Sequence, residues 1–77
     1  MVIGYNVETL SELVAKGAQQ MLLKLKEKQE EGRSGWDDQT NYRGMWQQLE
    51  LHASRRDWID VANFALFLWN LEKQNKD

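Results

Sequence analysis

From Asp57 to Leu71 the chain reads Asp-Trp-Ile-Asp-Val-Ala-Asn-Phe-Ala-Leu-Phe-Leu-Trp-Asn-Leu. As a helix this segment is apolar on nearly every side, with two carboxylates and two carboxamides as its polar interruptions. Such a helix must bury more than one face. The whole chain is only 77 residues long and has no cysteine. A core of that size rarely supplies more than roughly 3–5 kcal/mol, and no disulfide can add to it. With no His/Cys cluster for structural zinc, oligomerisation is the remaining staple. The expectation is a homo-oligomer, dimer or higher, or a complex with another protein. Ile59, Leu66 and Phe67 cannot share one three-helix core with Trp58, Val61, Ala62, Ala65, Leu68 and Trp69. Together with Asn70 they are assigned to an interface. Trp69 is expected to be buried, so that its loss is strongly destabilising.

The sign and size of the charge narrow the function classes. Net charge is −2, without the basic stripe of a general nucleic-acid binder. Four Trp, two Tyr and two Phe rule out a disordered composition. The N-terminal Met1 to Asn6 shows neither a basic region nor a long apolar region, so no signal peptide is expected. The longest unbroken apolar run, Phe64 to Trp69, is far short of the roughly 18 residues of a membrane span. The expected location is the cytoplasm, with no membrane partner.

The chain has no proline, and its five glycines all lie between Gly4 and Gly44. The fold class expected is all-α, a three-helix antiparallel bundle subunit completed by oligomerisation. Its helices fall at roughly 8–31, 41–53 and 56–73 of a single domain, 1–77. Thr9-Leu10-Ser11-Glu12 matches a capping box at the first helix, with Asn6 an alternative cap one turn earlier. Leu10, Leu13, Val14, Gly17, Ala18, Met21, Leu22 and Leu25 then trace one helical face. Gly17 within it suggests close approach of a neighbouring helix. Gly32 to Asp38 forms the one clear loop. Tyr42, Met45, Trp46, Leu49 and Ala53 mark the inner face of the second helix, and Ser54 or Asp57 caps the third. The tail from Gln74 onward is expected to be loose.

Few residues carry chemistry. Asp57 and Asp60 stand three apart on one helix face and could share a hard cation such as Mg²⁺ with Glu50. Carboxylates in a first turn also simply complement the helix dipole. His52, the only histidine, reads as structural, because no Ser or Cys stands beside it with an orienting group. Arg33, Trp36 and Arg43, with Asn63, could contact a nucleotide or a partner through stacking and guanidinium bonds. The competing reading packs Trp36 under the core and leaves the arginines solvated. Arg55 and Arg56 beside the aspartates read as local ion pairing. No catalytic residue emerges.

Lys24-Leu25-Lys26, Gly32-Arg33-Ser34-Gly35-Trp36 and Asp57-Trp58-Ile59-Asp60-Val61-Ala62-Asn63-Phe64-Ala65 together resemble small phage and prophage proteins related to the MazG-like all-α nucleoside triphosphate pyrophosphohydrolases. The resemblance covers about residues 20–72. It implies helices paired into oligomeric bundles and Mg²⁺ held by a Glu-Glu-x-x-Glu and a Glu-x-x-Asp motif. Asp57 and Asp60 would take the two positions of the second motif. The first motif is missing, because the preceding helix offers only Glu50. The resemblance therefore implies a scaffold that has kept its shape and lost the reaction. That would be a non-catalytic accessory protein, without a cofactor, that binds a host or viral protein in a role such as anti-defence. The alternative is a minimal Mg²⁺-dependent pyrophosphohydrolase or nucleotide-binding protein.

Overall fold

The computed structural model describes residues 7–75. Three helices make the fold: α1 (Val7–Glu30), α2 (Tyr42–Ser54) and α3 (Trp58–Asn75), with one 3-10 turn at Gln39–Asn41 ahead of α2. Among the described residues there is no strand, and no helix is long and apolar enough to cross a membrane. The all-α three-helix reading holds, and the helix ends shift by one to two residues from their expected positions. Because α1 already runs from Val7, Thr9 lies inside its first turn rather than at its cap. Asn6 lies outside the described residues. Gln74 and Asn75 continue α3 instead of loosening, while Lys76 and Asp77 also lie outside the described residues.

Two of the helices end in the same way with different residues. At the end of α1, Gly32 N–H donates to the Gln29 carbonyl at 2.9 Å and Arg33 N–H to the Lys28 carbonyl at 3.0 Å, with Gly32 at φ 84°. At the end of α2, Arg56 N–H donates to the Ala53 carbonyl at 3.1 Å and Asp57 N–H to the His52 carbonyl at 2.9 Å. Both are Schellman motifs, which satisfy orphan carbonyls by turning one residue left-handed. In the second that residue is Arg56 at φ 61°. A left-handed side-chain-bearing residue costs roughly 1–2 kcal/mol. The turn is nevertheless tight enough to fold α3 straight back along α2.

The apolar core is small and lies between α2 and α3. Met45, Leu68 and Leu71 are buried, Leu71 completely, and Tyr42, Leu49, Phe64 and Phe67 pack around them. The inner face expected for α2 is therefore largely correct, except that Trp46 is exposed. The far end of the hairpin is tied by Tyr42 Oη donating to Glu72 at 2.9 Å, and by Gln39 Nε2 donating to the Leu71 carbonyl at 2.9 Å. In the loop, Asp38 accepts from both the N–H and the hydroxyl of Thr40 and so caps the 3-10 turn. Asn41 Nδ2 donates to the Gly35 carbonyl at 2.9 Å. Gly35, at φ 90°, is required here, because a Cβ would stand 2.7 Å from that same amide nitrogen.

Two expectations fail in α3 and α1. Trp69 is 59 % exposed and Trp58 62 %, while the polar Asp60 and Asn63 are buried. The positions that face the neighbouring helices run through Asp60, Phe64, Phe67, Leu68 and Leu71. The tryptophans fall on the other sides, and a helix apolar all round gave no direction to tell them apart. Trp69 therefore cannot anchor the single chain as expected. Gly17 is the second correction: nothing lies within 4 Å of a Cβ built there, so within one chain it admits no neighbouring helix.

Candidate functional site

The third helix opens at Asp57, whose carbonyl accepts the Val61 N–H at 3.0 Å, the first bond of the helical ladder. The Schellman turn places this residue directly beside the last turn of α2. His52 Nδ1 lies 3.2 Å from Asp57 Oδ2 and 3.7 Å from Asp60 Oδ2. A carboxylate can only accept, so Nδ1 carries the proton toward Asp57. The imidazole face stacks on Phe64 with centroids 5.5 Å apart.

Asp60 is 5 % exposed, and α1 supplies its charge partners. Lys24 Nζ donates to Asp60 Oδ2 at 2.9 Å, and Lys28 Nζ stands 3.3 Å from Oδ1. The nearby Arg55 and Arg56, expected to pair locally, are exposed on the turn instead. Lys28 also lies over the Phe64 ring, 5.3 Å from its centroid. Burial alone would push the Asp60 carboxyl up. The hydrogen bonds from Lys24 and Lys28 and the attraction of their charges outweigh that and hold it below its ordinary value of 3.8. The same contact with Asp60 raises Lys24 above 10.5. About one turn further along α3, Asn63 Nδ2 donates to the Met21 carbonyl at 3.3 Å, and its Oδ1 is buried without a hydrogen-bond partner.

His52, Asp57 and Asp60 each offer an atom that could ligate a metal, and these atoms lie within 4.8 Å of one another. Sequence reasoning paired the two aspartates but chose Glu50 as their third member. Glu50 is exposed on α2 and stands outside this cluster. The signal that could have selected His52 is its spacing of five residues from Asp57 across a helix-ending turn. The donor set does not suit the Mg²⁺ that the resemblance implies. Mg²⁺ favours oxygen ligands in an octahedral shell. Here one donor is an imidazole, and the Asp60 carboxylate is already shared by two ammonium groups that would repel an incoming dication.

The remaining candidates assemble elsewhere. Trp36 is half exposed, with its ring tilted against Phe67 at 5.7 Å, and Phe67 meets Phe64 edge-on at 6.0 Å. Trp36 thus borders the core without closing it. Arg33 pairs with Glu31 at 3.3 Å on the surface, and Arg43 is solvated. Arg33 and Trp36 share with Asn63, Leu66, Phe67, Trp69 and Asn70 the lining of a groove of about 1050 Å³ that also reaches Leu25, Lys28 and Met45. Arg43 and Ile59 lie outside that lining. The chain matches no family model, no curated protein and no solved structure.

Proposed function

We propose that this chain is a non-catalytic interaction protein, a phage-type accessory factor on a MazG-like helical scaffold, that works by docking its apolar surface onto another polypeptide. The observation that supports this reading is the state of the tryptophans. Trp36, Trp46, Trp58 and Trp69 are all substantially exposed, along with Leu66 and four aliphatic residues of α1. Large aromatic side chains in contiguous exposed patches are the usual anchors of protein interfaces. The Asp60 carboxylate is meanwhile committed to holding α1 in place through Lys24 and Lys28, and two ammonium groups beside it disfavour a metal there.

The test has two arms. Purified protein incubated with a panel of nucleoside triphosphates and Mg²⁺ or Mn²⁺ should release no pyrophosphate. Turnover that disappears in Asp60→Asn would favour the hydrolase reading over this one. In the second arm, the immobilised chain is exposed to bacterial host lysate. Capture should vanish in Leu66→Glu but survive both Asp60→Asn and the addition of nucleotide. Capture that depends on nucleotide and is indifferent to Leu66 would overturn the docking mode.

A further inference from the structure

The outer side of α3 carries a seam that is complementary to itself. Trp58, Ala62, Ala65 and Trp69 stand at i, i+4, i+7 and i+11, the alternating four-and-three spacing along which two helices pair. They lie roughly opposite Asp60, Phe64, Phe67, Leu68 and Leu71, which face the neighbouring helices of the same chain. Both tryptophans are more than half exposed, Ala65 is exposed and Ala62 partly so. From either end the order of side chains is large, small, small, large.

We infer that α3 pairs with α3 of a second copy of this chain, antiparallel, about a two-fold axis midway along the seam. Trp58 of each copy then meets Trp69 of the other, and the alanines meet at the centre, where small side chains let the two helices approach closely. Charge selects this occupant and this orientation. The turn ahead of α3 carries Arg55 and Arg56, both exposed and without a carboxylate partner among the described residues. The far end of the seam carries Glu72, also exposed, whose Oε2 alone is engaged by the Tyr42 hydroxyl. The other charges at the two ends are taken up within the chain: Asp57 by His52, and Lys73 on the Trp69 ring, 5.1 Å from its centroid. Antiparallel pairing sets the arginines of each copy beside Glu72 of the other. A parallel pair would set arginine against arginine and glutamate against glutamate.

The area available sets the strength of the pairing. Two tryptophans a side, each with on the order of 100–150 Å² left to bury, make an interface at or below the roughly 1,200 Å² where stable complexes begin. The pair is therefore weak: it forms at high micromolar concentration and separates on dilution. This pairing goes beyond the docking function proposed above and does not require it. Leu66 and the groove lie beside the seam rather than on it, with Trp69 bordering both.

The full chain tests this directly. Light scattering at high micromolar concentration should give a particle of twice the 9.1 kDa chain mass, falling to a single chain on dilution. Ala65→Lys, at an exposed site in the middle of the seam, should weaken association by at least about tenfold, with helical circular dichroism retained. Charge reversal tests the register. Arg55→Glu/Arg56→Glu sets carboxylates against Glu72 of the other copy, and Glu72→Arg sets arginines against arginines. Each of these variants, still helical by circular dichroism, should pair with itself about tenfold more weakly than wild type. Mixed in equal amounts they should pair as wild type does, because each turn then faces the opposite charge. A wild-type chain that stays monomeric at high micromolar concentration overturns the pairing, as does an Ala65→Lys variant that associates as well as wild type. Charge-reversed variants that fail to rescue one another overturn the antiparallel register. No lysate enters these measurements, so the pairing and the docking function fail separately.

Discussion

The seam between α2 and α3 closes on Met45, Leu68 and Leu71, whereas the seam between α1 and α3 closes on Asp60, Lys24 and Lys28. The first excludes water and gains from apolar burial, about 1.5–3 kcal/mol for a fully buried Leu relative to an exposed one. The second buries a carboxylate and compensates it with long side chains that reach in from a neighbouring helix. An apolar seam tolerates changes of pH and salt. An ionic seam is conditional, and removing either side of it has unequal consequences. The hairpin is accordingly the fixed part of this molecule, and α1 is a helix attached to it by charge.

The largest effect should come from cutting the apolar seam. Leu71→Ala removes the one large side chain that is completely buried among the described residues, and should cost about 2–5 kcal/mol in urea unfolding followed by circular dichroism. Trp58→Ala, at an exposed site, should stay within about 0.5 kcal/mol by the same measurement. Equal losses from the two would mean that the core has been misplaced.

Next comes the ionic seam. In the double variant Lys24→Met/Lys28→Met, the Asp60 carboxylate is buried without a counter-charge, so its titration should move upward and α1 should release. Hydrogen exchange should then accelerate throughout α1 while Leu68 and Leu71 keep their protection. Asp60→Asn should release α1 less, because the lysines it strands can turn to water. If the asparagine variant were the more damaging of the two, the carboxylate would have a role besides holding α1.

Acid probes the same contact without mutation. The Asp60 carboxyl titrates lower in the folded chain than in the unfolded one, so its stabilisation is fully present above the ordinary value of 3.8 and is lost as pH falls through the depressed value. Lys24 titrates higher when folded, so its share is full below 10.5 and is lost as pH rises through the raised value. Between those limits the dock should hold. In strong acid, exchange in α1 should rise before the hairpin melts. Simultaneous loss of all three helices would contradict two separable seams.

The smallest expected change compares the two Schellman turns. Arg56→Gly should stabilise the hairpin by up to about 1 kcal/mol, since glycine adopts positive φ without strain, whereas Gly32→Ala should destabilise α1 by a similar amount. An Arg56→Gly variant with unchanged or lower stability would show that the arginine side chain makes a compensating contact.

Much of the architecture was legible from residue types and their order. Three helices follow from the absence of proline, the 3.6-residue spacing in the first two segments and the Gly32–Gly35 loop. Local chemistry placed the Asp57 carboxylate at the start of the third helix. The composition of the site was only half legible. Asp57 and Asp60 share a face by helical geometry alone, but His52 joins them through a backward turn at Arg56, a non-glycine residue in a left-handed conformation that no local rule announces. Lys24 and Lys28 arrive from 36 and 32 positions away, among several equally charged neighbours.

Sequence alone determined that this chain is helical and short of core, because propensity, spacing and apolar content are properties of neighbouring residues. Which side of α3 turns inward was settled only in three dimensions. A helix apolar on every side has no preferred face of its own, so the choice passes to its neighbours. The lysines of α1 claimed Asp60, Met45 and Leu49 of α2 claimed Leu68 and Leu71, and the tryptophans were left facing outward.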